Sequence, residues 1–277
     1  MTGKQEISNR RVWEIDAFRG LLIILLLCWH LYYTVEAFCI DGYYQIDTAN
    51  WLRITDPLHI WFVQNTDGSY SRAHWIEIGT YTIESGVVEF FLMSGISCVF
   101  SRNNLKRAVK TLIGGFFIAG FTKCLAIWTG DPSRFIRFGI LMCYAFCQFA
   151  FVFIFEKWKN KAILPVSILI ILVGYALSFI TIPATRLPFL YIFGVPQLED
   201  ASSDNWPVVP YLGWFLMGAI LGRKLYPEKK SLLPNPFAEK ITKPLQWCGR
   251  HSGMIYIAHI VIYTAVFCGI GFIFHLL

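Results

Sequence analysis

The sequence predicts an all-α membrane protein, a polytopic helix bundle of about seven spans that forms one domain over residues 1–277. Hydrophobic residues make up 56% of the chain, and its mean hydropathy is +0.51. Charged residues make up only 15%, against roughly 25% in a soluble domain. This composition argues against a single soluble domain and against a disordered chain. It also argues against nucleic acid as a partner, because the basic residues are scattered.

Seven apolar stretches are predicted to be membrane helices, since each approaches the roughly 20 residues that a span needs. They lie near residues 15–33, 86–100, 109–128, 138–155, 163–182, 210–225 and 254–274. No small-residue cleavage site follows the first stretch, which favours an uncleaved helix over a signal peptide. Two long connections, near residues 39–85 and 183–209, are expected to be functional loops rather than spacers.

Basic residues are distributed unevenly between alternate connections. The N-terminus and the connections after the second, fourth and sixth stretches carry most of the lysine and arginine. The positive-inside rule therefore predicts a cytoplasmic N-terminus, an outer C-terminus and two outward-facing long loops. The net charge of +6 is therefore attributed mainly to basic residues in the cytoplasmic connections. We expect a multi-pass protein of the plasma membrane, in contact with its lipids, and specifically of a bacterial inner membrane.

Three ionisable residues share one side of the first stretch. At about 100° per residue, Asp16, Arg19 and His30 fall within an arc of roughly 60°. Ionisable side chains inside a bilayer are costly and therefore indicate function. The imidazole of His30 is suited to general-base catalysis. The alternatives are an Asp16–Arg19 ion pair at the helix end and a structural hydrogen bond from His30 to another helix.

The last stretch carries a second polar stripe. Ser252, Tyr256, His259 and Tyr263 recur at helical spacing. Such residues often hold membrane helices together, so an interhelical role for His259 is as well supported by the pattern as a role in a site.

Other polar residues allow two interpretations each. Glu89 lies inside the second stretch, where it is either a functional acid or a helix-terminal charge. Arg137, Tyr144 and Gln148 share a face of the fourth stretch, where they line a cavity or pair with each other. The basic run 101–107 either binds phosphates or anchors the chain on the cytoplasmic side. No cysteine and histidine spacing suggests a metal site.

Several of these segments together resemble one family. Glu14–Gly20 followed by His30 resembles the opening of the heparan-α-glucosaminide N-acetyltransferase-like family of transmembrane acyltransferases. Four later blocks are similar to that family in the same order: Phe90–Ser97 with Ser101–Arg107, Phe138–Leu141, Asp204 with Pro210–Trp214, and Gly249–Ser252 with Ile255–His259. The matches run from about residue 12 to residue 260.

The resemblance implies an acetyl-CoA-dependent acetyltransferase that moves the acetyl group from cytoplasmic acetyl-CoA to a hydroxyl or amine of a sugar or glycan outside. It implies His30 as the catalytic base, with Glu89 and Asp204 towards the acceptor. It places on the acetyl-CoA side Asp16, Arg19, Arg102, Asn103, Asn104, Lys106, Arg107, Arg250 and His259. Acetyl-CoA is the acyl donor, no metal is implied, and a second copy of the chain is a further candidate partner.

Direct transfer is favoured over an acetyl-enzyme on Cys28, because Cys28 lies about 160° from His30 around the helix. Two other classes fit the buried polar residues: a transporter or lipid flippase that uses the arginine, histidine and glutamate side chains, and a structural membrane subunit.

Overall fold

The computed structural model describes residues 12–35, 62–64, 70–72, 74–101, 103–177, 179–180, 190–195, 204–233 and 235–276. The described helices and strands, in chain order, are α1 (Trp13–Val35), β1 (Phe62–Gln64), β2 (Tyr70–Arg72), α2 (His74–Phe100), α3 (Asn104–Thr129), α4 (Ile140–Ala150), α5 (Asn160–Leu177), α6 (Val208–Leu225), α7 (Pro236–Ile241), α8 (Lys243–Arg250) and α9 (Ser252–Leu276). A π-helical turn, Phe151–Phe155, continues α4, and short 3-10 turns occupy Pro132–Arg134 and Leu190–Phe193.

Each of the seven predicted stretches is helical over most of its length. The predicted end of the first long loop was wrong, because α2 begins at His74 rather than near residue 86. Its predicted start, near residue 39, lies outside the described residues. The loop also contains an antiparallel strand pair, in which Phe62 faces Arg72 and Gln64 faces Tyr70. The described residues are therefore mainly helical, as predicted, with this small strand pair as an addition.

Three helices are long and apolar enough to cross a membrane. They are α3, α5 and the Ser252–Ile273 part of α9. Gly86–Phe100, within α2, and Ile140–Phe155 are shorter apolar helices. The prediction of seven spans and of their orientation goes beyond this finding.

A tight polar turn separates α2 from α3. The Asn103 side chain accepts a hydrogen bond of 2.8 Å from the backbone N–H of Lys106, which caps the first turn of α3. The Asn104 side-chain amide donates to the Cys98 carbonyl over 3.0 Å. At its other end α3 stops at Gly130, whose φ of 70° is the left-handed conformation that glycine adopts readily.

The chain divides into two compact units. Unit 1 comprises Met1–Ile15 and Val88–Ile241, and unit 2 comprises Asp16–Val87 and Thr242–Leu277. In unit 1, α2 and α6 approach backbone to backbone: a Cβ at Gly95 would overlap the Phe215 carbonyl oxygen, and one at Gly218 would overlap that of Leu92. Glycine at both positions allows this close packing.

Unit 2 contains a second close approach, between α1 and α8. A Cβ at Gly20 would overlap the carbonyl oxygen of Leu245, and one at Gly249 would overlap that of Asp16. The two glycines thus face each other's helices and let the two backbones touch. This packing fixes the position of the polar side of α1 within unit 2.

Candidate active site

Two histidines from opposite ends of the sequence meet in unit 2. Nδ1 of His30, on α1, lies 2.6 Å from Nε2 of His259, on α9, and the ring centroids are 4.8 Å apart. His259 is 4% exposed, whereas His30 is partly exposed. Tyr256 and Tyr263 stand edge-on to the His259 ring, with centroid distances of 5.1 and 5.4 Å. The imidazole pair is therefore enclosed on its α9 side by aromatic rings.

The polar stripe of α9 packs on the polar side of α1. The Arg19 guanidinium donates to the Ser252 hydroxyl over 2.9 Å, and the Tyr263 hydroxyl donates to the Leu27 carbonyl over 3.3 Å. Because Arg19 and His30 share one side of α1, both reach α9. The interhelical interpretation of His259 matches this geometry, and Asp16 lies partly buried where α1 contacts α8.

The two imidazoles can share one proton at a time across their short contact. In a neutral ring, one nitrogen donates and the other accepts. Nδ1 of His259 is buried and makes no hydrogen bond of ordinary geometry to a described residue, although the backbone carbonyls of Ile255 and Tyr256 lie near that ring. Both nitrogens of His259 are thus enclosed, one by burial and one by the contact with His30.

Arg107 is the member of the basic run that turns into unit 1. Its guanidinium donates to the Ser97 carbonyl over 3.2 Å and to the Tyr144 hydroxyl over 3.1 Å. Asn103 and Lys106 are exposed, and Asn104 is buried in the turn before α3. Arg102 lies outside the described residues. The described side chains of the basic run 101–107 therefore do not form one continuous surface. They point in different directions because the run includes the cap and the first turn of α3.

The two acidic candidates differ in exposure, since Glu89, on α2, is exposed and Asp204 is partly buried. Asp204 precedes α6 and accepts a hydrogen bond from the indole N–H of Trp206. Burial raises the pKa of Asp204 from its usual 3.8 to about 6, although the Trp206 hydrogen bond acts in the opposite direction. A Cβ at Gly139 would stand 3.1 Å from an Asp204 carboxylate oxygen, so glycine leaves room beside this acid.

Aromatic rings surround the Asp204 segment. The Trp206 backbone N–H donates to the Phe138 carbonyl over 3.2 Å. The Trp206 indole contacts Tyr211 edge-on at 5.5 Å, and Tyr211 stacks on Phe91 at 4.9 Å. Sequence reasoning did not select Trp206, although its position two residues after an acid in a long loop was a usable signal.

One interpretation of the fourth stretch was wrong. Arg137 was expected to share a helix face with Tyr144 and Gln148, but α4 begins at Ile140 and Arg137 lies exposed before it. Gly139 takes the position before the helix, with an extended backbone. Tyr144 and Gln148 are buried one turn apart, so they do share a face.

The remaining candidates lie apart from these clusters. Arg250 is exposed at the end of α8. Among the described residues, no group of three or more histidine, cysteine, aspartate or glutamate side chains is arranged to hold a metal ion.

Comparison with known proteins gives one match. A family model described as heparan-alpha-glucosaminide N-acetyltransferase, catalytic, matches residues 58–261, which is well over half of the 277 residues. The matched region contains Arg107, Asp204 and His259, whereas α1 with His30 precedes it. No curated protein and no solved structure matches the chain.

Proposed function

The chain belongs to the heparan-alpha-glucosaminide N-acetyltransferase catalytic family, and from this premise we propose that it transfers an acetyl group from acetyl-CoA to a hydroxyl or amine of a sugar. The family is one of membrane acetyltransferases, so the chain is a transferase with helices that suit a membrane. The proposal includes the predicted topology, with a cytoplasmic N-terminus, an acetyl-CoA site on that side and the sugar or glycan acceptor outside. It also includes a location in the plasma membrane.

The contact between His30 and His259 carries the proposal. When His259 bears its proton on Nδ1, its Nε2 accepts the proton of His30 Nδ1 across 2.6 Å. The other nitrogen of His30 then has a free lone pair, and it makes no hydrogen bond to any described residue. A neutral imidazole with one nitrogen held by a partner is a general base with a fixed orientation.

The reaction follows from this arrangement. Nε2 of His30 takes the proton of the acceptor O–H or N–H while the acceptor atom attacks the thioester carbonyl. The new C–O or C–N bond forms, the C–S bond breaks, and the electron pair leaves on the sulfur of CoA. The imidazolium then returns the proton to that thiolate, so the base is restored and no oxidant or other reactant is needed.

The substrates are assigned by chemistry. Asp204 can accept hydrogen bonds from sugar hydroxyls, and Trp206 offers a flat apolar face against a sugar ring. On the donor side we retain as candidates the basic and polar residues Asp16, Arg19, Arg102, Asn103, Asn104, Lys106, Arg107 and Arg250. His259 was predicted to lie on the acetyl-CoA side. We now propose that it positions His30 instead. Glu89 is exposed, which weakens its assignment to the acceptor and leaves Asp204 as the better supported acid.

Purified protein in detergent micelles tests the proposal. Release of free CoA from acetyl-CoA is measured with a panel of sugars and amino sugars, and His30→Ala is expected to lower turnover by about 10²- to 10⁴-fold. Cys28→Ala is the matched control, since Cys28 lies on the same helix and is exposed. Equal turnover in wild type and His30→Ala would exclude His30 as the base. Absence of CoA binding by the wild type would overturn the acetyltransferase assignment and favour a transporter.

A further inference from the structure

An unpaired amide lies in the core of unit 1. Gln148, on α4, is 1% exposed, and neither atom of its side-chain amide has a hydrogen-bond partner among the described residues. Tyr144 and Phe151, one turn before and one turn after it, both pack against Phe215 with centroid distances of 6.1 and 6.0 Å. Burying an amide among aromatic rings without a partner is costly, so this side chain calls for an explanation.

A charged side chain, that of Arg107, contacts Tyr144, one turn before Gln148. The hydrogen bonds of Arg107 go to two neutral oxygen atoms, on Ser97 and Tyr144. No carboxylate of the described residues forms an ion pair with it. Charges enclosed in a helix bundle are normally paired with an opposite charge. A guanidinium that is oriented by neutral groups therefore retains its capacity for an anion.

Tyr144 connects the two features. Its hydroxyl accepts the hydrogen bond from Arg107, and Gln148 follows it by four residues, which is about 6 Å along a helix. The cation on α3 thus contacts Tyr144, and the free amide of Gln148 follows Tyr144 by one turn of α4. The complementary ligand carries an anion and, a few bonds away, an amide of its own.

Coenzyme A has this sequence of groups, since a short branched unit joins its diphosphate to the first of two amides in the pantetheine arm. We propose that Arg107, Tyr144 and Gln148 form a subsite for this arm. Arg107 binds a phosphate oxygen, and the Gln148 side-chain amide donates its N–H to the C=O of one arm amide and accepts with its C=O from the N–H of the other. This inference rests on the proposed function, because it concerns the same acyl donor.

The test distinguishes the contribution of the pantetheine arm to affinity from that of the nucleotide end of CoA. Affinities of purified protein in micelles are measured for CoA and for adenosine 3′,5′-bisphosphate, which lacks the arm. Gln148→Met removes the amide at nearly constant volume, with Gln148→Leu as a second variant if the first does not fold. Ser167→Ala is the control, since Ser167 is buried in unit 1 and its hydroxyl bonds within its own helix.

We expect Gln148→Met to raise the melting temperature of the unliganded protein, because an unpaired buried amide is removed. We expect its affinity for CoA to fall about 5- to 30-fold and its affinity for the bisphosphate to stay within about twofold. Ser167→Ala should leave both affinities unchanged. Unchanged CoA affinity in the variant would overturn the inference and identify Gln148 as a residue paired with buried water. Equal losses for both ligands would also overturn it, and a wild type that binds neither ligand would instead refute the proposed function.

Discussion

Nδ1 of His30 lies 2.6 Å from Nε2 of His259, although 229 positions separate the two residues in the sequence. The contact orients the His30 ring, and in our proposal Nδ1 of His30 carries the proton that His259 accepts. Each ring is the other's polar partner in a region of apolar helices, which reduces the cost of enclosing both. His259 therefore acts through His30 in our proposal rather than on a substrate.

Removing the His259 partner should slow turnover without weakening donor binding. We expect His259→Phe to lower kcat about tenfold or more, because one orienting hydrogen bond is lost while the apolar packing is kept. His259→Gln should recover most of kcat, since its amide oxygen can stand near the position of Nε2 and accept the proton of His30 Nδ1. Steady-state kinetics with acetyl-CoA check this, with KM for the donor as an internal control. Full kcat in the Phe variant would show that the pair is only a structural contact.

Protonation of Asp204 should make stability depend on pH. Its pKa of about 6 in the folded protein lies above its usual 3.8, so the folded state binds this proton more tightly than the unfolded state. The free energy of unfolding should therefore fall by about 1–3 kcal/mol as pH rises from about 4 to 6, and it should level off above that.

Thermal unfolding of the wild type and Asp204→Asn across this pH range measures the effect. The Asn variant cannot titrate at this position. Its free energy of unfolding should therefore not decrease between about pH 4 and 6 for this reason. Parallel curves for the two proteins would contradict the raised pKa.

The contact of α1 with α8 should tolerate no side chain at its glycines. Gly249→Ala places a methyl group on the Asp16 carbonyl oxygen, so the helices must separate, at a cost of about 1–3 kcal/mol or more. Gly269→Ala is the matched control, because a Cβ there meets nothing within 4 Å and alanine favours the helix by up to about 1 kcal/mol. Melting temperatures in micelles compare the two. A Gly249→Ala protein as stable as the control would show that the backbones are not in contact.

The charge of Arg107 should contribute to binding of the anionic end of the donor. We expect Arg107→Gln to weaken both CoA and adenosine 3′,5′-bisphosphate by about 10- to 150-fold, the range for hydrogen bonds to charged groups. Lys110→Gln, an exposed neighbour on α3, removes the same formal charge and should change either affinity less than threefold. Titration calorimetry measures the affinities of the wild type and both variants for the two ligands. Similar effects of the two substitutions would indicate a general electrostatic contribution without a defined site.

The helices of this protein could be predicted because their signals are local. Long apolar stretches and helical spacing placed Arg19 and His30 on one side of α1, and both contact α9. Arg137 was wrongly given a place on the face of the fourth helix, since apolar residues on both sides of Gly139 hide the start of α4 at Ile140. The sequence pattern also did not predict exposure. Glu89 and Asp204 are both acids beside apolar stretches, yet Glu89 is exposed, whereas Asp204 is partly buried and accepts a hydrogen bond from Trp206.

The sequence alone determined that the chain is helical, apolar and typical of a membrane protein, because hydropathy and period are properties of neighbouring residues. It also supplied the family resemblance. The tertiary structure decided which polar residues meet: His30 with His259, Arg19 with Ser252, and Arg107 with Tyr144. The physical reason is that such pairs depend on how closely helices approach and rotate, which is set by contacts between distant residues such as Gly249 and Asp16. An amide left unpaired at Gln148 becomes visible only when that packing is known.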